Sequence, residues 1–157
     1  MVKKLPVILT CLILGTLGAT LSAAEVTFVR IWPAWRDAES FVRISEYFGG
    51  GENSGRQTVL RTQTEQRSGF YYLVRTSNPG AAFTGARFEL KVIKPDSPAT
   101  RVYTFTTTVP ANGHVFNLGL TGADWPGKDT QPVAWQLRLL AADGHELGVS
   151  QSFLWSK

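Results

Sequence analysis

The chain is poor in the residue types that build disulfides, metal centres and nucleophilic sites. Its 157 residues include one cysteine, one methionine and two histidines. Cys11 has no second cysteine to pair with, so stability must come from packing. His114 and His145 each adjoin a turn glycine, and neither has a second histidine at metal-ligand spacing. We therefore expect no metal and no cofactor.

Catalytic signatures are missing as well. The chain has no Gly-x-Ser-x-Gly elbow, and its glycine-rich run at 49–55 lacks the Gly-Lys-Ser/Thr ending of a phosphate loop. We interpret this run as a flexible connector, with the alternative that Glu52 and Asn53 face a sugar or peptide ligand. The sequence predicts that the protein is not an enzyme. A small hydrolase is kept as an alternative, because the separation of two paired carboxylates is a spatial property.

Charge of one sign is not concentrated anywhere. Sixteen basic and twelve acidic residues give a formal net charge of +4. The ten arginines are interspersed with acidic and apolar residues and form no continuous basic stripe of the kind that nucleic acid requires. We expect no nucleic-acid partner.

Only one long apolar run is present. Two lysines precede this run at 5–17, and small residues follow it. The pattern is typical of a secretory signal peptide at 1–23, cleaved after Ala23 or Ala24. Cleavage leaves one domain at 24–157, with no second apolar stretch near the roughly 20 residues that a membrane helix needs. We expect an exported protein, either periplasmic or extracellular.

Beyond residue 55 the dominant pattern is alternation of apolar and polar residues, which is typical of β-strands. Turn residues separate the alternating runs at short intervals, which favours hairpins. Three hairpins are predicted: 87–92 with 102–109, 133–141 with 147–155, and 57–62 with 69–76. Single strands at 26–31 and 115–120 bring the predicted number to eight.

This succession of short strands predicts a mainly β fold, an antiparallel immunoglobulin-like β-sandwich of about seven to nine strands. Trp135 and Trp155 are expected to fill the core centre, where antibody domains carry a disulfide. A jelly roll or a small barrel is the alternative, because strand order cannot be read from the sequence.

One segment, at about 37–48, has the spacing of a short amphipathic helix. Asp37 is expected to cap its start and Gly49 to end it. We expect this helix to close an end or edge of the sandwich by burying apolar side chains. Its candidate buried residues are Phe41, Ile44, Tyr47 and Phe48.

Aromatic and polar side chains near turns are the remaining functional signal. Tryptophan and arginine are common anchors of protein interfaces, and exposed indoles also stack on sugars. The alternative is that the rings plug the ends of the sandwich. The candidate binding residues are Trp32, Trp35, Arg36, Glu52, Asn53, Trp125 and Lys128.

Four segments, at 44–49 (ISEYFG), 67–75 (RSGFYYLVR), 118–126 (LGLTGADWP) and 152–155 (SFLW), resemble a family of small, uncharacterised exported bacterial proteins. The resemblance implies bacterial export and a single domain, and it implies no activity. In architecture the chain is similar to immunoglobulin-like and fibronectin type III-like modules, a likeness that does not give function.

These observations favour a non-catalytic secreted or envelope module that binds a protein partner through loops or a strand edge. A carbohydrate- or cell-wall-binding module is the first alternative, in which an envelope polysaccharide is the ligand.

Overall fold

A computed structural model describes residues 25–53 and 55–156, with the side chains of residues 44 and 45 excepted. The predicted signal peptide lies outside this part of the chain. The strands are β1 (Thr27–Arg36), β2 (Gln57–Arg61), β3 (Gly69–Asn78), β4 (Phe83–Lys94), β5 (Ser97–Val109), β6 (Asn112–Thr121), β7 (Ala134–Leu140) and β8 (Glu146–Gln151). Short 3-10 helices occupy Ala38–Phe41, Ile44–Phe48, Gly122–Asp124 and Phe153–Ser156.

The strands form two four-stranded sheets. Sheet A has the order β1-β3-β6-β2, and sheet B has the order β5-β4-β7-β8. All neighbouring strands are antiparallel except β2 and β6, which are parallel. The mainly β, two-sheet prediction and the number of strands are confirmed. Among residues 25–53 and 55–156, no helix is both long and apolar enough to cross a membrane.

One apolar core lies between the sheets, because alternate side chains of each strand point inward. Phe70 and Phe116 come from sheet A, and Phe88 comes from sheet B. The rings of Phe88 and Phe116 meet edge to face at 4.9 Å, which ties the two sheets together. Phenylalanines therefore occupy the centre that was predicted for tryptophans. Trp135 packs at the margin of this core, and Trp155 is not part of it.

Two of the three predicted hairpins are confirmed, β4 with β5 and β7 with β8. The third was wrong, because β2 pairs with β6 and β3 lies between β1 and β6. Polar contacts after β2 account for this arrangement. The Thr62 amide donates to the Gly119 carbonyl at 2.9 Å, and the Gln63 amide donates to the Thr121 hydroxyl at 3.0 Å. These bonds hold the chain along β6.

Two short 3-10 helices take the place of the predicted continuous helix. Between them Val42 is extended, with φ −68° and ψ 124°, which interrupts the helical path. Phe41 is buried, as predicted, whereas Tyr47 and Phe48 are exposed. The Asp37 carboxylate accepts a bond from the Trp35 indole instead of capping a helix. The apolar spacing therefore predicted the burial of Phe41 correctly. It did not produce a helix with a buried face.

The two neighbouring tyrosines of β3 give a testable contrast. The Tyr72 hydroxyl is buried without a hydrogen-bond partner among the described residues, and burial raises its pKa. The Tyr71 hydroxyl accepts from Arg61 and donates to the Arg67 carbonyl, each at 2.6 Å. We expect Tyr72→Phe to raise the free energy of unfolding by about 1 kcal/mol and Tyr71→Phe to lower it by about 1–2 kcal/mol. Urea denaturation measures both, and equal losses in the two variants would contradict this assignment.

Candidate functional site

The connection from β1 to β2, residues 37–56, crosses the outer face of sheet A and covers half of it. Phe41 anchors this crossover, because its ring lies 4.4 Å from that of Tyr71 and packs on Val59. Asn53 fixes the far end, where its side-chain carbonyl accepts the Val59 amide at 2.7 Å. The other half of the outer face, around Trp32, is exposed in the described part of the chain.

A mostly buried ion pair holds the crossover to the sheet. Both terminal nitrogens of Arg61 donate to the Glu52 carboxylate, and its Nε donates to the Tyr71 hydroxyl at 2.6 Å. The guanidinium also lies 4.9 Å from the Phe41 ring centroid. Burial works to lower the pKa of Arg61, yet its bonds to Glu52 and Tyr71 raise it overall.

A second, more exposed ion pair joins the crossover to the loop before β3. Arg67 donates to the Glu46 carboxylate at 2.7 Å, and this bond holds the pKa of Glu46 below its usual range. The Arg43 amide donates to the same carboxylate at 3.1 Å. The carboxylates of Glu46 and Glu52, both in the crossover, are therefore each already paired with an arginine.

The uncovered half of sheet A carries an exposed tryptophan among arginines. Residues of β1, β2, β3 and β6, together with Arg56 just before β2, surround two adjoining cavities of about 260 and 300 Å³. Both cavities are lined by Arg75 and Val115, so they form one continuous depression. We call it the Arg–Trp surface and define it by Arg30, Trp32, Arg56, Leu73, Arg75 and Val115.

The arginines of this surface lack acidic partners. Arg30 and Arg75 lie directly opposite each other on β1 and β3, and like charges in that position destabilise a sheet. Neither they nor Arg56 forms an ion pair with a described residue. The Arg30 guanidinium lies 4.7 Å from the centroid of the Trp32 ring. The surface is therefore positively charged, with an aromatic ring at one side.

The predicted aromatic residues are dispersed by the fold. Trp32 is 54% exposed and belongs to the Arg–Trp surface. Trp35 packs against the core from the inner side of β1. Trp125 is buried and stacks on Phe70 with centroids 4.6 Å apart. Among these three rings, only Trp32 is more than half exposed.

The predicted polar residues lie in three different places. Glu52 and Asn53 are brought together in the crossover, where each already bonds to β2. Arg36 is half-buried at the end of β1, and its Nε has no hydrogen-bond partner among the described residues. Lys128 is exposed in the loop after Trp125. None of the four lines the Arg–Trp surface.

Sequence reasoning missed the other five residues of this surface, which are Arg30, Arg56, Leu73, Arg75 and Val115. Alternation along β3 places Leu73 and Arg75 on one face, which was the available signal. Their proximity to Arg30 depends on the register of β1 with β3, and no local pattern encodes that register.

Few side chains that could bind a metal or catalyse a reaction lie close together in the described chain. No group of three or more His, Cys, Asp or Glu side chains with metal-binding geometry occurs in the described part of the chain. The His145 imidazole bonds to the Asp143 carboxylate at 2.6 Å within one exposed turn. This contact lowers the pKa of Asp143, after the larger contribution of the His145 backbone amide.

His114 lines the larger of the two cavities, and we expect it to make the stability of the protein sensitive to pH. Its Nε2 lies 2.9 Å from the Thr58 hydroxyl, and burial lowers its pKa from the ordinary 6.5. The unfolded chain therefore binds more protons than the folded chain just below pH 6.5, so the free energy of unfolding falls as pH drops through that value. We expect His114→Gln to reduce this fall. Urea denaturation at neutral and mildly acidic pH measures it, and equal falls in both proteins would contradict the expectation.

No protein family, no curated protein and no solved structure shows a match to this chain.

Proposed function

We propose that this protein is a non-catalytic module that binds a protein partner through the Arg–Trp surface. The observation that carries the proposal is Trp32, which is 54% exposed in the uncovered half of sheet A. Leu73 and Val115 lie beside it, and Arg30 and Arg75 flank it. Protein interfaces are enriched in tryptophan and arginine, and their strongest contacts are aromatic or arginine anchors.

The arrangement favours a protein over a polysaccharide. A sugar-binding platform places several aromatic rings in a row, because successive sugar rings stack on them. Here Trp32 is the one tryptophan of the described chain that is more than half exposed, and Arg30 lies over its ring. Apolar and charged contacts around a single ring suit a protein side chain.

We further propose that the module is immunoglobulin-like, of bacterial origin, and exported by the segment at 1–23. The pattern of charged, apolar and small residues in that segment supports export. Eight strands in two four-stranded sheets support an immunoglobulin-like relationship.

A strand edge is the second candidate contact. The edge strand β1 contains Pro33, which lacks a backbone donor, and Asn53 occupies the Val59 amide of β2. β5 pairs with β4 alone, and its run at 102–109 contains no charged residue. Of the edge strands β1, β2 and β5, β5 is therefore the best suited to accept a partner strand.

The test compares two side chains of equal exposure on opposite sheets. The full chain with a C-terminal tag is used to capture partners from an envelope extract of the source organism. Photo-crosslinking from position 73 then identifies what lies on the Arg–Trp surface. We expect Trp32→Ala to weaken capture of the crosslinked protein about tenfold or more. Val102, also 54% exposed, lies on β5, and Val102→Ala is expected to have no effect.

The other outcomes are equally informative. Capture that survives Trp32→Ala but fails in Val102→Ala would move the interface to the β5 edge and overturn the proposal. Enrichment of glycan without protein would favour the carbohydrate-binding alternative.

A further inference from the structure

We infer that the partner presents an acidic segment to the Arg–Trp surface, with carboxylates flanking an apolar side chain. This inference rests on the proposed function and names the chemistry of the occupant. Three arginines line the two adjoining cavities, and none forms an ion pair with a described acidic residue. A partner of opposite charge is the occupant that complements such a surface.

The first carboxylate is assigned to the pair Arg30 and Arg75. Directly opposite residues of an antiparallel pair have Cα atoms about 4.5–5.5 Å apart, so both guanidinium groups can reach one carboxylate. Guanidinium and carboxylate have matching fork geometries and form short, charge-assisted hydrogen bonds. An anion between Arg30 and Arg75 would also relieve the repulsion between the two guanidinium groups, and this relief favours anion binding.

The second carboxylate is assigned to Arg56. This arginine lines the larger cavity together with Arg75, on the side of the depression away from Trp32. Two anionic groups can therefore be held along the depression, one on each side of Arg75. A single phosphate or carboxylate would leave one of these arginines without a counterion.

The apolar part of the occupant is assigned to the strip formed by Trp32, Leu73 and Val115. Leu73 lies opposite Trp32 in register, and Val115 lies opposite Arg75 on β6. The apolar strip therefore adjoins the arginines, which favours a segment in which acidic and apolar residues alternate along one face, with the spacing Glu-x-Leu-x-Glu. An extended chain carries alternate side chains on one face, about 6.5 Å apart, so such a segment can contact arginine and tryptophan together.

The acidic residues closest along the fold do not neutralise this surface. Glu46 and Glu52 are held by Arg67 and Arg61 in the crossover. Arg43, within the crossover, donates to the side chain of Gln57, which lines the smaller cavity, so it adds a further positive charge nearby. The positive charge is thus available to a partner.

The test uses a short synthetic peptide that repeats Glu-Ser-Leu-Ser, which places glutamate and leucine alternately on one face of an extended chain, and the same peptide with glutamine in place of glutamate. Binding to the full chain is measured by fluorescence anisotropy over a range of salt concentrations. We expect the glutamate peptide to bind, with affinity falling as salt rises, and the glutamine peptide to bind at least about tenfold more weakly. Arg30→Gln and Arg75→Gln are each expected to weaken binding about tenfold.

Arg101 supplies the matched control. It is exposed on β5, on the other sheet, and forms no ion pair with a described residue. Arg101→Gln is expected to leave peptide affinity unchanged. Thermal unfolding separates binding from folding: Arg75→Gln should keep or raise the unfolding midpoint while it loses the peptide, because the like-charge pair with Arg30 is removed.

Two results would overturn the inference. Equal binding of the glutamate and glutamine peptides would remove the acidic requirement, and tighter binding of polygalacturonate than of the glutamate peptide would make the ligand an anionic polysaccharide. If the crosslinked partner is still captured by Arg30→Gln and Arg75→Gln but lost in Trp32→Ala, the proposed function stands and only the acidic segment fails. If all three variants still capture the partner, both the proposed function and the acidic segment are overturned.

Discussion

Replacing Glu52 with glutamine is expected to lower the free energy of unfolding by about 3 kcal/mol. The side chains of Arg61 and Glu52 are only 7% and 15% exposed, so the arginine would keep its charge with little water around it. Its remaining partners are the Tyr71 hydroxyl and the Phe41 ring. Neither of these carries the opposite charge. Urea denaturation measures the loss as a lower midpoint with an unchanged dependence on urea.

The control is the ion pair between Arg67 and Glu46, whose side chains are 35% and 22% exposed. Glu46→Gln is expected to cost at most about 1 kcal/mol, because water screens a partly exposed pair. Combining Glu52→Gln with Arg61→Met should cost less than the sum of the two single losses, since no unpaired charge is left. Strict additivity would show that the two side chains act independently and would contradict the assignment.

The effect of Glu52→Gln on the Arg–Trp surface is expected to be confined to the neighbouring crossover. The crossover lies beside the Arg–Trp surface, and Arg61 holds it on the sheet. Weakening this contact would free 37–56 to move over the outer face of sheet A. We therefore expect Glu52→Gln to alter partner binding only if it unfolds the crossover. The Val59 amide bonds to Asn53 of the crossover, so its hydrogen exchange reports that opening.

The alternation of apolar and polar residues predicted the strand pairs that are joined by short turns. The hairpin of β4 with β5 joins Lys94 to Ser97 across two residues, so alternation and turn chemistry were sufficient. The same is true of β7 with β8. β2 has the same alternating appearance, yet its partner β6 begins about fifty residues later in the chain. Alternation identifies a strand without identifying its neighbour, which is why the third hairpin was wrong.

The helical prediction failed for a related reason. Apolar residues at Phe41, Ile44 and Phe48 match a helical period, but a short helix in water needs a surface on which to bury that face. The fold supplies such a surface for Phe41, over Tyr71, and leaves Phe48 exposed. Glu46 accepts the Arg43 amide at 3.1 Å, at the start of the second 3-10 helix.

The candidate site was predictable in its chemistry and not in its location. Tryptophan and arginine were expected as anchors of an interface, and this stays a prediction; of the predicted tryptophans, Trp32 is the one that is more than half exposed among the described residues. Trp125 has a similar sequence environment, beside a proline, but it lies in the core against Phe70. Exposure of such a ring depends on which part of a sheet lies beneath it. The pairing of Arg30 with Arg75 depends on register, which the sequence pattern does not contain.

The second large effect is expected at Gly119, where Tyr71 crosses the backbone of β6. A Cβ at position 119 would lie under 3.0 Å from three atoms of the Tyr71 ring. The ring cannot retreat easily, because Phe41 packs on it and its hydroxyl bonds to Arg61 and Arg67. We expect Gly119→Ala to lower the free energy of unfolding by about 2–3 kcal/mol. Gly119 has no left-handed φ, so the cost is steric.

Two further variants separate this clash from a general effect of alanine in β6. Gly113 lies on the same strand, and an alanine methyl there would have the Thr76 carbonyl oxygen as its nearest neighbour, at 3.7 Å. Gly113→Ala is therefore expected to change stability by no more than about 0.5 kcal/mol. In a Tyr71→Ala background the ring is gone, and Gly119→Ala should then cost much less than in the parent. An undiminished cost in that background would show that the Tyr71 ring is not what excludes a side chain from position 119.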